Sequence, residues 1–155
     1  MALTSASDKD GAGPRRAGAA SLAEAQALAR ALAQAADAKK GEDIIILDLR
    51  GISSVADYFL IVTAQNPRQQ KAMAEAMSEA ATALGRRPYG REGVGAESRW
   101  TLLDYVDVVA HIFDPEWREL YDLELLWGDA PRLDWSPAPR KAEPQAGDDG
   151  LPRRR

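Results

Sequence analysis

Ser53, Ser54 and Asp57 stand just ahead of the apolar run YFLIVT, Tyr58–Thr63. Hydroxyls in a loop, followed by a carboxylate entering a strand, are the parts from which nucleotidyl-transferring enzymes build a site for a triphosphate and its Mg²⁺. That chemistry needs a second carboxylate two residues on, because alternate residues share a strand face. Phe59 occupies that position, the loop lacks a Gly-Ser opening, and the sequence contains no phosphate-cradling glycine loop with its lysine. His111 is the single histidine and lies inside an apolar run, and there is no cysteine, so a metal site would depend on carboxylates alone. The expectation is a protein with no catalytic residue, no metal and no cofactor. A nucleotidyltransferase-like enzyme is the alternative.

A different chemistry is concentrated between Trp100 and Trp127. This stretch holds Trp100, Tyr105, Trp117, Tyr121 and Trp127 together with Asp104, Asp107, Asp114, Glu116, Glu119, Asp122 and Glu124, and within it Arg118 is the only cation. The net charge of −4 conceals this: residues 101–130 carry eight acids and one arginine, while residues 1–19 and 131–155 are net basic. A phosphate backbone calls for a basic surface, so direct nucleic-acid binding is not expected. Aromatic area rimmed by carboxylates suits a cationic protein surface.

The elements that must hold these residues follow from periodicity. Ser21 and Glu24 form a capping box for a helix with the stripe Leu22, Ala25, Leu28, Leu32 and Ala36, which is narrow and predicts weak packing. The runs IIILDL, from Ile44 to Leu49, and Tyr58–Thr63 are apolar on both faces and read as central strands. Asn66, Pro67 and Gln69 open a second helix with Met73, Ala76, Met77, Ala80 and Leu84 inward and Gly85 as its left-handed stop. Pro88 to Glu92 suits a short strand, and Gly90, Gly93 and Gly95 a mobile or closely approached loop.

Two strands, Arg99 to Asp104 and Asp107 to Phe113, are predicted to form a hairpin in which Trp100, Leu102 and Asp104 share one face and Thr101, Leu103 and Tyr105 the other. Asp114 and Pro115 start a final helix ended by Gly128, with Trp117, Leu120, Tyr121 and Leu125 on its apolar side.

The sum is an α/β domain with a mixed sheet of about five strands packed with helices. It spans residues 20–130, with a disordered N-terminal extension at 1–19 and a disordered basic, Pro-rich tail at 131–155. No apolar run reaches the ~20 residues needed to cross a bilayer, so the reading is a soluble cytoplasmic protein.

Three phrases, GISSVADYFLIVTA, RWTLLDYVDVVAHIF and LYDLELLWGDA, resemble in order those of the ribosomal silencing factor family, also called the iojap family. The resemblance covers roughly Leu22 to Ala130. The family usually carries glycine between the two carboxylates of the hairpin turn, where this chain has Val106. The resemblance implies a nucleotidyltransferase-like topology without the chemistry, and a tendency to form homodimers. It also implies a translational repressor that binds the large ribosomal subunit at large-subunit protein fourteen, blocks joining of the small subunit and slows translation under nutrient limitation. On that reading Trp100, Leu102 and Tyr105 anchor the partner, Asp104 and Asp107 are its polar contacts, and Tyr58, Tyr89 and Glu92 are lesser contacts.

Overall fold

The runs YFLIVT and VVAHIF are β-branched or aromatic at most positions, and every residue in both is buried. They pair in parallel, Tyr58 opposite Val108 through Thr63 opposite Phe113, and the rest of the sheet is built outward from them. The computed structural model describes residues 19–93 and 99–136. Expectations for the N-terminal extension to residue 18, for the glycine loop at 94–98 and for the tail from 137 lie outside the described residues.

In chain order the elements are α1 (Ala19–Ala38), β1 (Glu42–Asp48), β2 (Tyr58–Thr63), α2 (Pro67–Ala83), β3 (Gly90–Glu92), β4 (Trp100–Asp104), β5 (Val108–Phe113), α3 (Pro115–Tyr121) and α4 (Leu123–Leu126). The sheet order is β1-β2-β5-β4-β3, antiparallel at every pairing except β2 with β5. This is the mixed five-stranded α/β sheet that the pattern predicted.

One face of the sheet, carrying Ile46, Tyr58, Leu60, Val62, Leu103, Tyr105, Val108, Ala110 and Ile112, packs under α1 and α2. The weak packing expected of α1 does not hold. Ala25, Leu28, Ala29, Leu32, Ala33 and Ala36 are all fully buried, because alanine lets the helix approach the sheet and α2 closely enough to bury a broad face. The helix also begins at Ala19, so Ser21 lies inside its first turn and the expected capping box is not its start.

In α2 the cap is as expected: Asn66 Oδ1 accepts the Gln69 amide at 2.8 Å and Pro67 opens the helix. Gln69 returns its bond one residue further out, accepting from the Gln65 amide. At the other end Gly85, at φ 76°, and Arg86 donate back to Thr82 and Ala81, the paired bonds of a left-handed helix stop. The buried stripe is Gln70, Met73, Ala74, Met77 and Ala81, turned slightly from the predicted one, and Leu84 is exposed.

β1 is an edge strand, not a central one. Its apolar character has another origin: residues 131–133 run antiparallel along its outer edge, with the Asp48 amide donating to the Pro131 carbonyl and the Leu133 amide to the Ile46 carbonyl. The folded unit therefore extends past the expected boundary at 130.

Candidate functional site

The hairpin presents its side chains as the alternation required. Trp100, Leu102 and Asp104 are half-buried on the face away from α1 and α2, and Thr101 and Leu103 are buried on the other. On the Trp100 face an aromatic cluster crosses three strands and α3. The Trp100 ring lies 4.8 Å from Phe113 and 4.9 Å from Tyr121, and Phe59 lies 4.6 Å from His111 and 6.1 Å from Trp127. Leu47, Leu49, Ile61 and Val109 continue the apolar surface, with Trp117, Leu123 and Trp127 packed against it.

His111 is a structural residue within this cluster. The Trp100 indole donates to its Nδ1 at 3.1 Å, and burial pushes its pKa down to about 3, so the imidazole is neutral at physiological pH. Its Nε2 is buried without a protein hydrogen-bond partner.

The hairpin turn is unusual. The Asp107 amide donates to the Tyr105 carbonyl across Val106, which sits at φ 76°, and Asp104 Oδ1 accepts from the Val106 amide at 2.8 Å. A three-residue turn with positive φ at its centre is rare and strained, most of all for a β-branched residue. Arg86 stabilises it from the end of α2, donating to Asp107 Oδ1 at 2.6 Å and to the Tyr105 carbonyl at 3.2 Å.

The acidic residues are less free than the local sequence suggested. Besides Arg86 with Asp107, Arg99 bridges Asp114 and Glu116, and Arg118 pairs with Glu124. Two of these three cations lie outside the acidic stretch in sequence, so the reading that Arg118 alone answers the acids is corrected. Arg118 is itself buried and bonds Thr63 Oγ1 at 2.9 Å, which fixes α3 to β2.

The last helix is two short ones. Asp122 adopts the left-handed conformation, φ 46° and ψ 56°, ending α3 and capping α4 through the Leu125 amide. Leu120 in α3 and Leu125 and Leu126 in α4 are mostly exposed, contrary to the inward placement expected of Leu120 and Leu125.

Of the residues predicted to meet a partner, the structure brings Trp100, Leu102, Asp104 and Glu92 onto one face, Glu92 pairing in register with Leu102 on the neighbouring strand. Tyr89 is 77% exposed, and its amide donates to the Asp104 carbonyl. Two predicted contacts are corrected. Tyr105 is 2% exposed and belongs to the core under α2, and Tyr58 is fully buried with its hydroxyl accepting from Gln26 at 2.9 Å. Neither offers surface to a partner. Asp107 is occupied by Arg86. Tyr121 is the residue that sequence reasoning placed only as helix packing; its spacing from Trp117 indicated a shared side, but nothing indicated that its ring would pack against Trp100 while remaining 45% exposed.

Among the described residues no group of three or more His, Asp or Glu is placed to hold a metal ion. Asp57 has Phe59 as its alternate neighbour on β2, so the strand supplies no second carboxylate. No helix among the described residues is long and apolar enough to cross a membrane.

The structure is a mixed-sheet α/β domain with a half-open aromatic face. The family described as "Ribosomal silencing factor during starvation" matches residues 22–152, and the chain belongs to that family. It is 46% identical to the ribosomal silencing factor of Bacillus subtilis over 66% of this chain and 86% of that one. It is 36% identical to the chloroplastic protein Iojap of Zea mays, over 70% of this chain and 46% of that one. A crystal structure of a protein from Chromobacterium violaceum is similar at TM-score 0.64 and 31% identity, covering 75% of this chain and 95% of that one. One from Bacillus halodurans gives 0.61 and 35%, covering 70% and 98%.

Proposed function

We propose that this protein binds the large ribosomal subunit through large-subunit protein fourteen and, by occupying that surface, sterically prevents the small subunit from joining. Translation is thereby lowered when nutrients are limiting. The observation that carries the reading is the half-exposed pair Trp100 and Leu102 on the sheet face shared with Glu92 and Asp104. Such a patch has an apolar centre and an acidic rim, the arrangement by which a surface rich in lysine and arginine is steered and then held. Tyr121, its ring tilted against Trp100 and partly exposed, extends it, and Tyr89, exposed and bonded through its amide to the Asp104 carbonyl, is a lesser contact.

The test is a joining assay with separated ribosomal subunits. The protein is expected to co-sediment with large subunits and reduce formation of the joined ribosome in proportion to occupancy. Co-sedimentation without any effect on joining would leave binding but remove the steric mechanism.

A homodimeric interaction scaffold is a second reading, favoured by the exposed Leu120, Leu125 and Leu126. Sedimentation equilibrium of the free protein separates it: a dimer that retains full large-subunit binding assigns the two surfaces to different faces.

A further inference from the structure

β1 is an edge strand with the sequence EDIIILD, and an apolar β-branched edge is a template for addition of another strand. Residues 131–136 occupy that edge. Their backbone makes a two-bond ladder around the pair Leu47 and Arg132, and alternate side chains turn inward: Leu133 and Trp135 pack against the core, while Arg132, Asp134 and Ser136 are exposed. The Trp135 indole donates to the Ile44 carbonyl at 3.1 Å. From α1, Arg30 Nε reaches the Asp134 carbonyl at 2.9 Å and Gln34 the Trp135 carbonyl at 3.1 Å. The groove between the edge of β1 and α1 is thus a built site for an extended Leu-x-Trp segment, with backbone pairing and two side-chain donors that read main-chain carbonyls.

We propose that residues 131–136 are a releasable strap closing a strand-addition site on β1, and that the occupant this site fits, once opened, is the same segment from a second copy of this chain. The closed form is favoured because the strap is tethered directly behind α4, which gives it an effective concentration on the order of millimolar. Release is local, because the strap is held by one short ladder, two half-buried side chains and three side-chain-to-backbone hydrogen bonds, and the five main strands lose none of their own pairing. When closed, the strap presents charged Arg132 and Asp134 outward and starts at Pro131, which donates no hydrogen bond, so it does not itself become a new edge for growth.

The experiment uses the full chain with Leu133→Ser and Trp135→Ala, and a synthetic peptide spanning residues 129–136 as the probe. Amide hydrogen exchange is read at Asp48, which donates to the strap, and at the β2 and β5 amides, which do not. Exchange at Asp48 is expected to rise about tenfold or more in the variant with β2 and β5 still protected, and added peptide is expected to restore the protection. The wild-type chain binds the peptide at least about tenfold more weakly, since its own strap competes. Unchanged exchange at Asp48 overturns the strap. Increased exchange that the peptide does not reverse overturns the site for a second copy, and loss of protection in β2 and β5 together with Asp48 shows that the segment is part of the global fold and not releasable.

Discussion

Arg86, just beyond the left-handed stop of α2, holds Asp107 at 2.6 Å and so ties the end of a helix to the turn between β4 and β5. The pair is largely but not fully shielded, and the same guanidinium also serves the Tyr105 carbonyl. Arg86→Ala removes both bonds and leaves the Asp107 carboxylate facing a half-buried turn. A loss of about 1–2 kcal/mol is expected, between the values for exposed pairs and for charge-assisted buried bonds. Urea unfolding at neutral pH measures it, and an unchanged midpoint would show the turn to be held by its backbone alone.

Val106 lies at the centre of that turn with φ 76°. An L-residue held in the left-handed region costs about 1–2 kcal/mol, and glycine gives back about 0.5–1 kcal/mol through its freer unfolded chain. Val106→Gly is therefore expected to raise stability by up to about 1 kcal/mol, whereas Val106→Ala, which keeps a Cβ, gains less. The two urea midpoints compared with wild type decide it. A glycine variant no more stable than the alanine one excludes strain at this position.

His111 gives the protein an acid sensitivity with a defined window. Its folded pKa, pushed down to about 3 by burial, lies below the ordinary value of 6.5, so the unfolded chain binds the proton more readily. Its contribution is complete above pH 6.5 and is lost as pH falls toward 3, at about 1.4 kcal/mol per pH unit. Asp48, held below the usual carboxylate range by its bond to Arg50, adds its own loss only lower down, near and below pH 4. Between pH 6.5 and 4.5 the slope belongs mainly to His111. His111→Gln keeps an acceptor for the Trp100 indole and should flatten that slope by about one proton; denaturant titrations at several pH values read it directly.

Much of this architecture was legible because it rests on local rules. The period of two placed Trp100 and Leu102 opposite Thr101 and Leu103, and the Asn66-Pro67 cap and the Gly85 stop fixed both ends of α2. The misplacements come from interactions between segments distant in sequence. Ile44 to Leu49 read as a central strand because its edge is covered by residues about eighty-five positions later in the chain. The carboxylates of the acidic stretch read as free because Arg86 and Arg99 reach them only in the folded protein. Tyr105 was the exception to a rule already in hand, since alternation put it on the buried face with Leu103. At Asp122 the helix breaks because a carboxylate tolerates the left-handed conformation and caps the next turn, a possibility that helical spacing alone does not display.

The aromatic face also constrains how the proposed ribosome contact can be tested. Trp100 packs its ring against Phe113 and Tyr121 and donates to His111, so Trp100→Ala is expected to cost roughly 2–3 kcal/mol of stability in addition to any binding. Reversing Asp104 and Asp107 together would likewise remove the bond to Val106 and the pair with Arg86. Leu102 is the cleaner position: it is half-exposed between Glu92 and His111 in register, and no side-chain hydrogen bond depends on it. A lysine there puts a cation at the centre of a patch proposed to meet a cationic surface, where like charges brought together cost several kcal/mol. Leu102→Lys should therefore weaken co-sedimentation with large subunits by about a hundredfold or more, with a urea midpoint close to that of wild type. Leu102→Met, which retains the apolar area, should bind nearly as wild type. If the lysine variant remains folded and binds with unchanged affinity, the contact surface lies elsewhere on the protein.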